Sequence, residues 1–405
     1  MKTDSLVSIT FFYLSLVSAA SAVEIGYTAT DLGSVTGVAL NDTGQIVGWR
    51  PMADGFDLAF ISGPNGVGIR SLGALPGDRF SHATGINNSG QVTGFSELHP
   101  TDEDHLGIPH AFLSEPNGGP LHDIASLAGA ESAGRGVNNV GQVTGYAILP
   151  MGLHAFLSGV NGGAIKDLGN FNGPGGYTIG AAVNDTGQVA GISNFTLPNG
   201  GGATHAFLSG ENGGLLKDLG TLPGGELFSQ AQAVNNLGQV AGSSALSFNF
   251  EGQHAFLSGV NGGALIDLGT LGGPFSVATG ISDAGVVVGY SEILDGRTSH
   301  AFVYTRAGGM QDLNRLINPT LGFELAEAFD VNELGQIVAT GFVDGEPHTF
   351  LLTPTDGTKI TDTGSSWTSL SCGLLGLLLL AGMRWRHRLR VLAYSPLAGR
   401  AEGPT

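Results

Sequence analysis

Cysteine is all but missing from this sequence: Cys372 is the single one in 405 residues. A lone thiol builds no disulfide framework and supplies no Cys-x-x-Cys redox or zinc motif, so stability has to come from packing. Charge is scarce as well. Asp, Glu, Lys and Arg make up 12% of the chain, and 16 basic against 34 acidic residues leave a net charge of −18. Five of those basic residues, Arg384, Arg386, Arg388, Arg390 and Arg400, crowd one end. The remainder is too acidic to follow a phosphate backbone, which excludes a nucleic-acid partner. No phosphate-binding loop, helical His-Glu-x-x-His pair or Ser-His-Asp arrangement is recognisable, and no motif implies a cofactor or a metal. Glycine is abundant, at 68 residues, but without the every-third-residue period of collagen.

Long apolar runs are confined to two places. Near the N-terminus, Lys2, an apolar stretch from Leu6 to Val17 and then Ala20-Ser21-Ala22 follow the basic, hydrophobic, small-x-small order of a secretory signal peptide. Residues 1–22 are therefore expected to be removed after Ala22. At the other end, residues 355–366 are polar and turn-like, 367–383 are apolar, and an arginine-rich stretch runs to Arg390, followed by a polar extension over 391–405. The apolar run is near the lower limit for a membrane span, and the arginines would hold its end on the cytoplasmic side. The expectation is a transmembrane helix that anchors an exported body.

Between these ends the chain repeats itself. An Asn-rich turn entering a strand occurs seven times, beginning at Asn41, Asn87, Asn138, Asn184, Asn235, Ser282 and Asn332. A His-Ala-Phe segment or a near relative also occurs seven times, with its aromatic at Phe60, Phe112, Phe156, Phe207, Phe256, Phe302 and Phe350. An Asp-Leu-Gly segment or relative begins at Asp31, Ser71, Asp123, Asp167, Asp218, Asp267 and Asp312, so one copy precedes the first Asn-rich turn and none follows the last His-Ala-Phe relative. Each unit reads as four strands. Strand a runs into the Asn, strand b carries Gln-Val-x-Gly, strand c carries His-Ala-Phe-Leu, and strand d ends in Asp-Leu-Gly. Asn and Gly in the a–b and c–d turns tolerate positive φ, as tight hairpins demand. The fold expected over residues 23–354 is an all-β, seven-bladed β-propeller whose last blade is completed by an N-terminal strand over 25–32. The alternative is an open β-solenoid, which would need a cap at each end.

The strand-c histidine and the strand-d aspartate are coupled. His110 and Asp123, His154 and Asp167, His205 and Asp218, and His254 and Asp267 are each 13 apart, and His300 and Asp312 are 12 apart. The first unit loses both at once, with Leu58 and Ser71 in their places, and His348 has only Asp31 available through ring closure. Positions that lie opposite one another across a hairpin suit a structural His–Asp hydrogen bond. Six equivalent copies do not suit catalysis.

The repeated His-Ala-Phe segments, with Asn-[Asn/Asp]-x-Gly-Gln and Asp-Leu-Gly, resemble the HAF family of bacterial extracellular repeats over about residues 27–354. The Asn-Asp-x-Gly-Gln turns resemble the aspartate boxes of sialidase propellers but lack the serine and tryptophan, and are read as turns. The tail resembles sorting signals of the PEP-CTERM and VPDSG-CTERM type, with Asp362, Thr363 and Gly364 in the motif position but no proline before the aspartate. These resemblances imply export to the bacterial surface and recognition by an exosortase-type sorting peptidase, with membrane attachment before any processing. They imply no reaction.

Candidate ligand-binding residues lie on the face formed by the b–c and d–a connections, which do not repeat. They are Trp49 and Arg50, the cluster His99, Asp102, Glu103, Asp104 and His105, Phe195, and Phe248 with Phe250 and Glu251. The 99–105 cluster lacks calcium-loop spacing and reads as a solvated acidic loop. The function expected is that of a non-catalytic surface or matrix protein whose loop face binds a polysaccharide or a matrix protein. The alternative is a glycan-active propeller enzyme, a hydrolase or a lyase, which would need two facing carboxylates.

Overall fold

The computed structural model describes residues 26–97, 107–124, 131–149, 152–173, 175–197, 200–247 and 252–355. The signal-like segment, the 99–105 cluster, residues 248–251, the sorting motif and the apolar tail fall outside them. Among the described residues no helix is long and apolar enough to cross a membrane.

Seven four-stranded antiparallel units follow one another along the chain, the fifth and sixth joined into one sheet by a parallel pairing of Gln253 with Phe275. Blades 1 to 6 span residues 36–73, 80–123, 132–167, 178–218, 229–267 and 272–312. In each, the strands pair in sequence order a-b-c-d. Blade 7 takes strands a, b and c from Glu324–Val331, Ile337–Val343 and Glu346–Pro354, and strand d is the N-terminal Tyr27–Asp31. That strand pairs antiparallel with strand c, from Tyr27 opposite Pro354 to Asp31 opposite Phe350. The chain is therefore a seven-bladed propeller closed by its N-terminal strand, and both sheet edges that closure would otherwise expose are paired.

The His-Ala-Phe signature follows from this geometry. Side chains alternate across a strand, so the phenylalanine faces one neighbouring blade while the flanking alanine and leucine face the other. Phe112 packs on Ala39, Val47 and Ile61 of blade 1. Phe207 packs on Ala155 and Leu157 of blade 3. Phe60 packs on Val338 and Leu351 of blade 7, which carries the interface around the ring. All seven phenylalanines are at most 1% exposed. The alanine amide is used as well, since in five of the blades it donates to a Ser or Thr hydroxyl in strand a of the next blade, at 2.8–3.1 Å.

Turn chemistry differs from expectation in one respect. In the c–d turns Asn65, Asn117, Asn161, Asn212 and Asn261 do adopt positive φ, between 50 and 55°. In the a–b turns only the glycine does, as at Gly90 with φ 72°. The a–b asparagine is there for its carboxamide.

Candidate functional site

At the a–b end of the axis that carboxamide closes each turn and then reaches the next blade. Asn138 Oδ1 accepts from the Gln142 amide at 2.8 Å, and its Nδ2 donates to Gln142 Oε1 and to the Asn184 carbonyl, both at 2.9 Å. The same inter-blade bond runs from Asn41, Asn87, Asn184, Asn235 and Asn332, the last reaching the Asn41 carbonyl at 3.0 Å. Blade 6, with Ser282, has no carboxamide to donate. A second ring lies beside the first and is complete. The amide of each following residue donates to the side-chain oxygen of its counterpart in the next blade, from Asp42 to Asn88 and around to Glu333, which donates back to Asp42 Oδ1 at 2.9 Å. Carboxylates in this ring are met by neighbouring carboxamides, as in Asn88 Nδ2 to Asp42 Oδ2 at 2.7 Å. At the closing seam Asp330 accepts from the Leu40 and Val331 amides. Burial, together with the Asp42 and Glu333 charges, outweighs those amides and pushes its carboxyl up to about 7.

On the outer hairpins the strand-d aspartate lies opposite the phenylalanine, not the histidine: Phe156 faces Asp167 and Phe207 faces Asp218. The histidine is the diagonal neighbour two residues away. The roughly opposite placement expected from spacing is thus a diagonal one, and a diagonal neighbour remains within side-chain reach. Nδ1 reaches the carboxylate at 2.9–3.0 Å in His154–Asp167, His205–Asp218, His254–Asp267, His300–Asp312 and His348–Asp31. His110–Asp123 is looser, at 3.8 Å. The aspartates also accept an amide two residues on, as Asp218 does from Gly220 at 2.8 Å. Burial raises the Asp218 carboxyl, but the His205 hydrogen bond and the Gly220 amide outweigh it and hold it below the ordinary value. In blade 1 Ser71 keeps this local turn, with its hydroxyl accepting from Gly73 at 3.2 Å. His300 differs from its counterparts, since Nε2 lies 2.5 Å from Glu324. Burial lowers it, yet the two carboxylates outweigh burial and raise it.

The other end of the channel is built by an irregularity. Strand a of every blade shifts register in the same place, leaving one residue unpaired three positions before the turn Asn or Ser. Those residues are Val38, Thr84, Arg135, Ala181, Gln232, Thr279 and Phe329, and all but Thr279 line one cavity of about 530 Å³. A bulge re-aims a side chain out of the sheet pattern, and here it turns one residue per blade into the channel. The strand-b glycine is its counterpart. A Cβ at Gly94 or Gly145 would lie 2.0 or 1.9 Å from the His82 or Ala133 carbonyl that the distorted strand presses against it.

One wall of the cavity is aromatic. The residue after the strand-b glycine is Trp49, Phe95 and Tyr146 in blades 1 to 3, and all three line the cavity. Tyr290 holds the same position in blade 6. Trp49 stacks on His82 with centroids 4.1 Å apart and planes 14° apart, and Phe95 meets His82 edge-on at 5.4 Å. His82 Nε2 lies 3.2 Å from Asp57 Oδ2. Burial holds this imidazole below its ordinary value against the pull of Asp57. A proton on Nε2 serves the Asp57 bond, and in the neutral ring that tautomer leaves Nδ1 as an acceptor. The Arg135 guanidinium sits 5.7 Å from the centroid of Tyr146.

Of the residues proposed from the sequence, Trp49 joins this wall. Arg50 pairs with Leu58 across the b–c hairpin, and its Nε is buried without a hydrogen-bond partner among the described residues. Phe195 packs edge-on against His205 at 4.4 Å and borders a separate cavity between blades 4 and 5. His99, Asp102, Glu103, Asp104, His105, Phe248, Phe250 and Glu251 lie outside the described residues. Among the described residues no three His, Cys, Asp or Glu side chains group as metal ligands. His82, Phe95, Arg135 and Tyr146 went unrecognised in the sequence because they sit within the repeated strands and not in the connections. The recurrent strand-b glycine, a sign of close backbone approach, was the signal for them.

No family model and no curated protein matches the chain. Among solved structures it is similar to the β-propeller domain of the Trilobed protease from Pyrococcus furiosus, which has an open velcro topology (TM-score 0.51, 9% identity, 84% of this chain and 99% of that one). It is also similar to an oligogalacturonate lyase in complex with manganese (TM-score 0.49, 12% identity, 82% and 97%). A third similarity is to TolB from Acinetobacter baumannii (TM-score 0.42, 13% identity), where 79% of this chain spans 65% of that one, less than two thirds of its length. At these identities the similarity is one of fold: the chain is an all-β propeller.

Proposed function

We propose that this protein is an exported, surface-associated propeller of the HAF-repeat type that binds a glycan in the bulge-lined cavity and does not transform it. The observation that carries the reading is the Trp49–Phe95–Tyr146 wall beside six of the bulged residues. Flat aromatic rings pack against the apolar faces of sugar rings, while the His82 acceptor, Gln232 and the Arg135 guanidinium offer hydrogen bonds to hydroxyl groups. Binding is favoured over catalysis because Asp57, the carboxylate in contact with this wall, is already engaged by His82. Export and anchoring are supported by the signal-like N-terminus and the apolar, arginine-flanked tail.

The test is a polysaccharide panel scored for both binding and cleavage. Trp49→Ala and Tyr146→Ala should each weaken capture of a bound glycan about tenfold. Wild-type affinity in both variants would contradict the site, and new reducing ends would contradict the non-catalytic half. Deleting residues 367–390 should release the protein from the membrane fraction.

A further inference from the structure

Resting on that reading, we infer that the bound glycan carries a carboxylate, a uronic-acid residue, and that Arg135 is the group that receives it. The bulge displays an uncharged side chain in six blades and a guanidinium only in blade 3. Among the described residues no carboxylate lies within ion-pair distance of Arg135, whose contact is the Tyr146 ring. Four other basic side chains of the body are committed to the scaffold. Arg70, Lys166 and Lys217 donate to carbonyls in the c–d turn of the next blade at 2.7–3.1 Å, and Arg79 reaches Asp54 at 4.0 Å. An arginine exposed inside a cavity, backed by an aromatic face and left without a protein anion, matches the planar fork that takes a carboxylate through two parallel hydrogen bonds. Tyr146 lines the cavity and backs the guanidinium with its ring, and that ring is what it offers a ligand. A pyranose bearing a carboxylate satisfies both groups at once. The net charge of −18 opposes a polyanion at long range, but charges beyond about 8 Å are screened at physiological salt, whereas contact inside the cavity is not.

The experiment is calorimetric titration of the full-length protein with oligomannuronate and with the same oligomer after its carboxyl groups are reduced to alcohols. Carboxyl reduction should weaken binding about 10- to 100-fold, and R135Q should do the same. Reduced oligomer should bind wild type and R135Q alike, and R135K, which keeps the charge without the fork, should fall between. R135Q should keep the wild-type melting temperature, because Arg135 is exposed. If reduced and native oligomers bind equally, or if R135Q binds the native oligomer as wild type does, the acidic-ligand inference is overturned while the glycan reading stands. If no oligomer binds and the neutral polysaccharide panel is also silent, the glycan reading falls and takes this inference with it.

Discussion

The two ends of the axial channel are made by the same seven strands and obey opposite rules. At the turn end the strands finish in Asn, or Ser in one blade; every blade but the sixth spends that residue on its neighbour, and every blade spends the next one, in rings of hydrogen bonds that run through the closing seam. Three residues earlier the same strands display Val, Thr, Arg, Ala, Gln, Thr and Phe. Uniformity marks the end where each side chain has a partner in the protein. Diversity marks the end where it faces a cavity. The comparison teaches that repetition in this chain is a record of blade-to-blade bonding, and that departures within the repeat point to the ligand.

That division can be broken in graded steps. The largest effect is expected from removing Tyr27–Gly33. Five strand pairings at roughly 0.5–1.5 kcal/mol each would be lost and two sheet edges exposed, so the truncated chain should aggregate or melt far below wild type. A silent truncation in size-exclusion and thermal unfolding experiments would refute closure. Asn138→Ala comes next. It strips partners from buried groups in two blades and should cost ~2–4 kcal/mol in denaturant unfolding.

A smaller, pH-dependent effect belongs to Asp330. Its folded value near 7 exceeds the ordinary 3.8, so the native state holds a proton that the unfolded chain releases. Stability from this group is greatest below pH 4 and falls as pH rises toward 7. Asp330→Asn should therefore raise stability at pH 8, by about 1 kcal/mol because the residue keeps some exposure to the channel, and the gain should vanish near pH 4. An equal effect at both pH values would show that ionisation is not its cause. Smallest is Ser282→Asn, which should supply the carboxamide missing from the ring of turn asparagines and add roughly 0.5–1.5 kcal/mol. A loss of stability would mean that blade 6 cannot take the uniform turn.

Much of the scaffold was legible in the sequence because it repeats. The shifted Asp-Leu-Gly set located the closing strand, and the joint replacement of the His–Asp pair by Leu58 and Ser71 marked positions that meet across a hairpin. The cavity was less legible for a physical reason. A bulge is a change of register between two strands, and neither Arg135 nor Tyr146 differs in local sequence from its flat-strand alternative. Only Trp49 was recognised, as part of a connection, whereas it lies within strand b, paired with Ala59. Attention to the connections was misplaced for Phe195, which packs on His205 instead of facing the channel.

The division of labour is tested most directly by measuring melting temperature and oligomannuronate affinity together for Asn138→Ala and Arg135→Gln. The account predicts opposite results: Asn138→Ala lowers the melting temperature and binds as wild type while folded, and Arg135→Gln melts as wild type and binds about 10- to 100-fold more weakly. If Asn138→Ala loses affinity while folded, or Arg135→Gln lowers the melting temperature and leaves affinity intact, the two ends of the channel do not divide structure from binding.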